Sequence, residues 1–138
     1  MLNLLKRKQK QDGFTLLELL MVVIIIAILA SIALPQYFRA AERSRASEAL
    51  QILGTMRGSE VRYKALSPKN VYTAVLDDLD VGVPGGTGVA VSKMWTYSVA
   101  APLATATRAS TGKTVQINLD TGATCTSDNV VYGLGTTC

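Results

Sequence analysis

The sequence contains no histidine. A histidine-based catalytic triad, a histidine zinc site and a histidine proton shuttle are therefore excluded. It has two cysteines, Cys125 and Cys138, too few for a zinc site of four thiolates. Aromatic residues make up 6% of its 138 positions, which leaves no visible platform for stacking nucleic-acid bases. Charge is sparse and unevenly placed. Fourteen Lys and Arg face ten Asp and Glu, a formal net charge of +4. Residues 1–13 hold Lys6, Arg7, Lys8 and Lys10 against Asp12, so +3 of that total sits in the leading segment. The basic balance belongs to those residues and is not a nucleic-acid footprint spread over a domain. The length suits one domain, or a small domain with an appendage.

Residues 14–34 form a run of 21 positions in which Glu18 is the one charge, and the next charge is Arg39. A helix needs about 20 apolar residues to cross the hydrocarbon core of a bilayer. The basic cluster in front of the run places the amino terminus in the cytoplasm and residues 35–138 on the far side of the membrane. A secretory signal peptide shares the basic start and apolar run, and Ser31-Ile32-Ala33 offers small residues for a cut. Three features oppose it: the run is long for a signal peptide, Pro35 sits close to that cut, and Glu18 gains a simple anchor nothing. An acid at the centre of a span costs about 2.5–3.5 kcal/mol, and less near its end. An ionisable group there points to function.

Gly13-Phe14-Thr15-Leu16-Leu17-Glu18, between a short basic leader and the apolar run, resembles the class III signal sequence of type IV pilins. The resemblance continues through Ala33-Leu34-Pro35-Gln36-Tyr37 and Arg45-Ala46-Ser47-Glu48-Ala49, covering about residues 6–50. It implies that a prepilin peptidase cuts between Gly13 and Phe14 on the cytoplasmic side, then methylates the new amine of Phe14. Glycine suits the position before the cut, because a protease threads an unobstructed extended backbone. The cut precedes the span, so the span is retained while the basic leader is lost. In the resembling family the glutamate, here Glu18, pairs with the terminal amine of a neighbouring subunit. In low dielectric an unpaired charge is costly, so that pair would set register during assembly.

The expected fold class is α+β, a long hydrophobic helix packed on a small antiparallel sheet, as in type IV pilins. The expected divisions are a leader at 1–13, one helix at 14–66 with its filament-core half at 14–34, an αβ-loop at 67–92, and a sheet with a carboxy-terminal loop at 93–138. Pro35 is expected to kink the helix. Ala46, Ala49, Leu50, Leu53, Met56 and Val61 form one rough stripe, while Gly54 and Gly58 weaken the helix by about 1 kcal/mol each. Fifty-three continuous helical residues would span about 80 Å. Ser67-Pro68-Lys69-Asn70 breaks the helix. Strands are expected at 94–100, 102–109 and 114–119, with a hairpin turn at Ser110-Thr111-Gly112-Lys113. The Val115, Ile117 and Leu119 face is expected against the helix stripe. Cys125 and Cys138 bound a 14-residue loop outside the cytoplasm, where oxidation is favoured. The resemblance implies a disulfide-bounded region at the carboxy terminus.

Other features carry less. The glycine-rich stretch Gly82 to Gly88 lacks the Lys-Ser/Thr of a phosphate loop. Asp77, Asp78 and Asp80 form an acidic cluster without a calcium-loop pattern. Lys93, Arg108 and Lys113 are read as a solvated face, so nucleic acid is not expected as a direct partner. No nucleophile has a histidine base and no paired acids define a site, so no enzyme, metal or cofactor is expected. The leading reading is the major subunit of a type IV pilus: an inner-membrane precursor, then an extracellular homo-oligomeric filament serving motility, adhesion, DNA uptake or long-range contact. Its partners would be the prepilin peptidase and methyltransferase and the inner-membrane assembly machinery. The alternatives are a pseudopilin of type II secretion, which the two cysteines disfavour, and a minor pilin.

Overall fold

The computed structural model describes residues 13–138. Helix α1 runs from Leu16 to Leu66. It is followed by a single 3-10 turn at Leu76–Asp78, then β1 (Trp95–Ala100), β2 (Leu103–Arg108), β3 (Thr114–Asn118), β4 (Thr124–Thr126) and a one-turn helix α2 (Asn129–Tyr132). The chain divides into two compact units, one ending at Tyr37 and the other comprising Phe38–Cys138. The architecture is the expected α+β class, one long apolar helix with a small antiparallel sheet.

In the first unit α1 is apolar on all sides. Every large hydrophobic residue from Phe14 to Leu34 is between 49% and 83% exposed. A helix of this kind has no single apolar stripe to aim at a core. The polar group inside the run is satisfied within the helix: the Ser31 hydroxyl donates to the Ile28 carbonyl at 2.7 Å. Pro35 lies within α1. It has no N–H to offer the carbonyl four residues back, that of Ser31.

The second unit has its own core. Ala46, Ala49, Leu53 and Met56 on α1 join Trp95, Tyr97, Val99, Ala104, Ala106, Val115, Ile117 and Leu119 in one buried cluster. Val61 is 43% exposed and falls outside it. The stripe instead continues through Ser59 and Glu60, two polar residues that are buried. Hydrophobic periodicity alone could not follow that turn.

The sheet order is β1-β2-β3-β4, all antiparallel. Direct partners across such a sheet share a face. One inward row is Tyr97, Ala106, Val115 and Thr126, and the next is Val99, Ala104, Ile117 and Thr124. The two fully buried alanines of β2 thus sit between bulkier neighbours on β1 and β3. Their small size explains why β2 reads weakly as a strand, since alanine has little β-propensity. The hairpin from β2 to β3 turns at Gly112, whose φ of +68° favours glycine. Strand β4 was not expected; it is three residues long and is centred on Cys125.

Helix α1 stops where Pro68 cannot continue it, and the Ser67 N–H donates to the Tyr63 carbonyl at 2.8 Å. Further ties join α1 to the β3–β4 turn. Arg57 donates to the carbonyls of Leu119 and Asp120, at 3.0 and 3.2 Å. Gly122, at φ +77°, lets the Arg57 guanidinium approach: a Cβ there would lie 3.3 Å from its central carbon. Asp120 in turn accepts from Lys64 at 3.0 Å and from the Tyr72 hydroxyl at 2.6 Å.

Candidate functional site

The amino-terminal motif begins outside the helix. Gly13, Phe14 and Thr15 precede α1 in non-helical backbone, and Phe14 is 82% exposed. A Cβ on Gly13 would meet nothing within 4 Å. The Gly13–Phe14 peptide bond is therefore in open, non-helical chain shortly before the first helical turn. The basic residues of the leader lie outside the described residues.

Thr15 and Glu18 close the helix start between them. The Glu18 carboxylate accepts from the Thr15 N–H at 3.1 Å and from its hydroxyl at 3.0 Å. The Thr15 hydroxyl accepts the Glu18 N–H at 3.2 Å. This reciprocal capping box satisfies two of the donors that every helix start leaves unpaired. A negative side chain in the first turn also complements the helix dipole. The sequence carried the signal, since Thr-x-x-Glu before an apolar run is its signature. Reading Glu18 only as a partner for another chain overlooked this role within the monomer.

The family model described as the prokaryotic N-terminal methylation motif matches residues 8–34. The chain is similar to the fimbrial protein EcpC of Eikenella corrodens, at 48% identity over 67 residues, covering 49% of this chain and 42% of that protein. It is similar to the type IV major fimbrial protein FimA of Dichelobacter nodosus, at 41% identity over 54% of this chain and 41% of that one. It is also similar to the type IV major pilin protein PilE of Neisseria gonorrhoeae, at 40% identity over 38% of this chain and 32% of that one. The amino-terminal half is similar to that of proteins named as type IV fimbrial and pilin proteins. The matched stretch spans less than half the length of these relatives. No solved structure matches the chain.

Beyond the amino-terminal motif and Pro35, the remaining site residues lie in the second unit. Cys125 and Cys138 are joined by a disulfide, with Cα atoms 5.2 Å apart. Beside it the Thr126 N–H donates to the Gly135 carbonyl at 2.8 Å, so the segment after α2 closes along β4. The three aspartates do not converge. Asp77 accepts from the Thr87 N–H and hydroxyl, Asp78 from the Thr73 hydroxyl, and Asp80 from Ser59 and Arg62. The Arg62 guanidinium and the Ser59 hydroxyl hold the Asp80 carboxyl down to about 2. The Asp77 bonds also fasten the glycine-rich stretch through Thr87.

The three cations of the supposed solvated face differ in placement. Lys93 is exposed, and Lys113 pairs with Asp128 at 2.5 Å. Arg108 is 8% exposed and packs over Trp95, 5.5 Å from ring centre to guanidinium carbon. It also donates to Glu42 at 3.4 Å, and Arg45 pairs with the same carboxylate. That reading is corrected for Arg108: cation–π contact and the Glu42 carboxylate compensate a guanidinium drawn inside.

Proposed function

We propose that this chain is a structural subunit of a type IV pilus, its major one, stored in the inner membrane and assembled through the apolar half of α1. One observation carries the reading. A 21-residue apolar run, exposed on all sides, lies within the stretch that matches a methylation motif. A single chain in water cannot sustain that surface. Lipid covers it before assembly, and neighbouring copies of the same helix cover it afterwards.

Within this reading residues 1–13 are a leader, removed between Gly13 and Phe14 by a prepilin peptidase that then methylates the Phe14 amine. The exposed, non-helical backbone at Gly13 supports access for such an enzyme. Glu18 has two successive tasks. It caps the helix in the stored monomer, and in the filament it takes the terminal amine of a neighbour. The segment 35–138 faces away from the cytoplasm, an environment in which the Cys125–Cys138 bond persists. A head-to-tail contact that does not close generates a filament rather than a ring.

The test is intact and amino-terminal mass spectrometry of filaments sheared from cells. The expected chain starts at N-methylated Phe14, with Cys125 bonded to Cys138. A mature chain starting at Leu34 would mean an ordinary secreted protein. A chain confined to the membrane would shift the reading to a pseudopilin or an anchored domain.

A further inference from the structure

Ser59 and Glu60 are buried on the face of α1 that carries the core of the second unit, the head, at 1% and 0% exposure. Ser59 is satisfied: it donates to Asp80 and accepts the Asp80 N–H at 3.0 Å. Glu60 is half satisfied. Its Oε2 accepts the Thr73 N–H at 3.0 Å. Its Oε1 is out of water and meets no donor among the described residues. A buried carboxylate in that state is costly unless a cation or a proton neutralises it.

Among the described residues no nearby cation is given to it. On α1 itself, Arg62 places Nε and Nη2 on Asp80, both at 2.6 Å. Arg57 is directed to the Leu119 and Asp120 carbonyls, and Lys64 to the Asp120 side chain. From the covering segment the facing charge is negative. Asp78 acts on Glu60 electrostatically, and it also accepts from the hydroxyl of the same Thr73. Asp77 and Asp80, on the same segment, are turned to Thr87 and Arg62, and Tyr72 donates to Asp120. Thr73 is thus a fastening point of the segment, beside the Asp80 bonds to Ser59 and Arg62. Its N–H reaches Glu60, its hydroxyl reaches Asp78, and its oxygen accepts the Val75 N–H.

We propose that Glu60 is a proton-operated latch: carrying a proton it fastens the 67–92 segment to α1, and on ionising it loosens that segment. The electrostatics agree with the geometry. Burial first, and the Asp78 charge in addition, hold the Glu60 carboxyl above its ordinary range, against the opposing pull of the Thr73 N–H. A carboxyl raised on folding contributes stability that is fully present below its unfolded value. That contribution is lost as the pH rises through the folded value. The latch is therefore shut in mild acid and weakens toward neutrality. Asp77 and Asp80 are held down by their partners, so they are already ionised in this window.

The experiment is hydrogen exchange of the full chain in detergent micelles, followed at the Thr73 and Val75 amides from mild acid to mild alkali. Each rate is divided by the intrinsic rate at that pH. In the wild type the protection of these amides is expected to fall as pH rises, by at most about tenfold per pH unit for a single proton. In Glu60→Gln, which keeps an oxygen for Thr73 but has no proton to lose, the profile is expected to be flat. A flat wild-type profile, or an equal slope in Glu60→Gln, overturns the latch. Asp78→Asn covers the case in which Glu60→Gln does not fold. Without the neighbouring negative charge, the midpoint of the fall is expected at lower pH. An unmoved midpoint in that variant equally overturns the proposal.

Discussion

One helix serves two regions that treat the same kind of side chain in opposite ways. Between Leu16 and Leu34, α1 exposes every large apolar residue. Between Ala46 and Met56 it buries Ala46, Ala49, Leu53 and Met56 against a sheet from its own chain. The difference lies in what the sequence supplies to cover each stretch. Residues 95–126 contribute alternating inward side chains for the second region. No described residue is buried against the first. Hydrophobicity by itself therefore does not distinguish a core from an interface. The composition around the helix does, and here one stretch is covered by its own chain while the other is left exposed.

The largest expected effect tests that contrast directly. Leu53→Ala should destabilise the head by about 2–5 kcal/mol, through lost burial and a cavity. Ile25→Ala in the exposed stretch should change the same denaturation midpoint by no more than about 0.5 kcal/mol in detergent-solubilised monomer. Equal losses from the two variants would erase the distinction. A smaller effect separates the two tasks of Glu18. Glu18→Ala should loosen the helix start, seen as faster amide exchange in the first turn. Glu18→Gln keeps the capping geometry, because glutamine serves at that position of a capping box. It should therefore leave exchange unchanged while abolishing filament assembly. If Glu18→Gln still assembles, the charge is not needed and the cap alone explains the residue.

The smallest effect concerns the head alone. Asp80 is held down to about 2 by Arg62 and Ser59. Its folded value lies below its unfolded one, so its contribution is present above the ordinary aspartate range and fades as the pH falls toward the folded value. Because the pair is exposed to solvent, the loss should be slight and weakened further by salt. Acid titration of stability in the wild type against Asp80→Asn should show it, with the wild type converging on the variant at the acid end.

Much of this arrangement was legible in the sequence. A long apolar run bearing a single acid is a strong signal, so Phe14 and Glu18 stood out at once. Alternation marked β1 and β3, where Trp95, Tyr97, Val99, Val115 and Ile117 face inward. What escaped reading did so for physical reasons. Ser59 and Glu60 are buried because loop groups, Asp80 and the Thr73 N–H, reach them, and no local pattern announces such distant partners. Arg108 looked like a surface cation, yet its alternation with Ala104 and Ala106 on β2 had already placed it on the inward face. Strand β4 is too short to show a period. Thr15 as a cap was visible in principle, but the family motif drew attention to Glu18 alone.

Trp95 is the single tryptophan of the chain, fully buried, with Arg108 above it and the Tyr132 ring 6.2 Å away at an angle of 52°. The protein thereby carries an intrinsic optical reporter whose field of view is restricted. Its ultraviolet emission senses the packing of β1, β2 and α2, and a shift to longer wavelength marks water reaching that pocket. The apolar half of α1 has no indole, so inserting it into a micelle or withdrawing it leaves this signal dark. Fluorescence and far-ultraviolet dichroism, recorded together on one unlabelled sample, thus follow the head and the whole helix as separate channels.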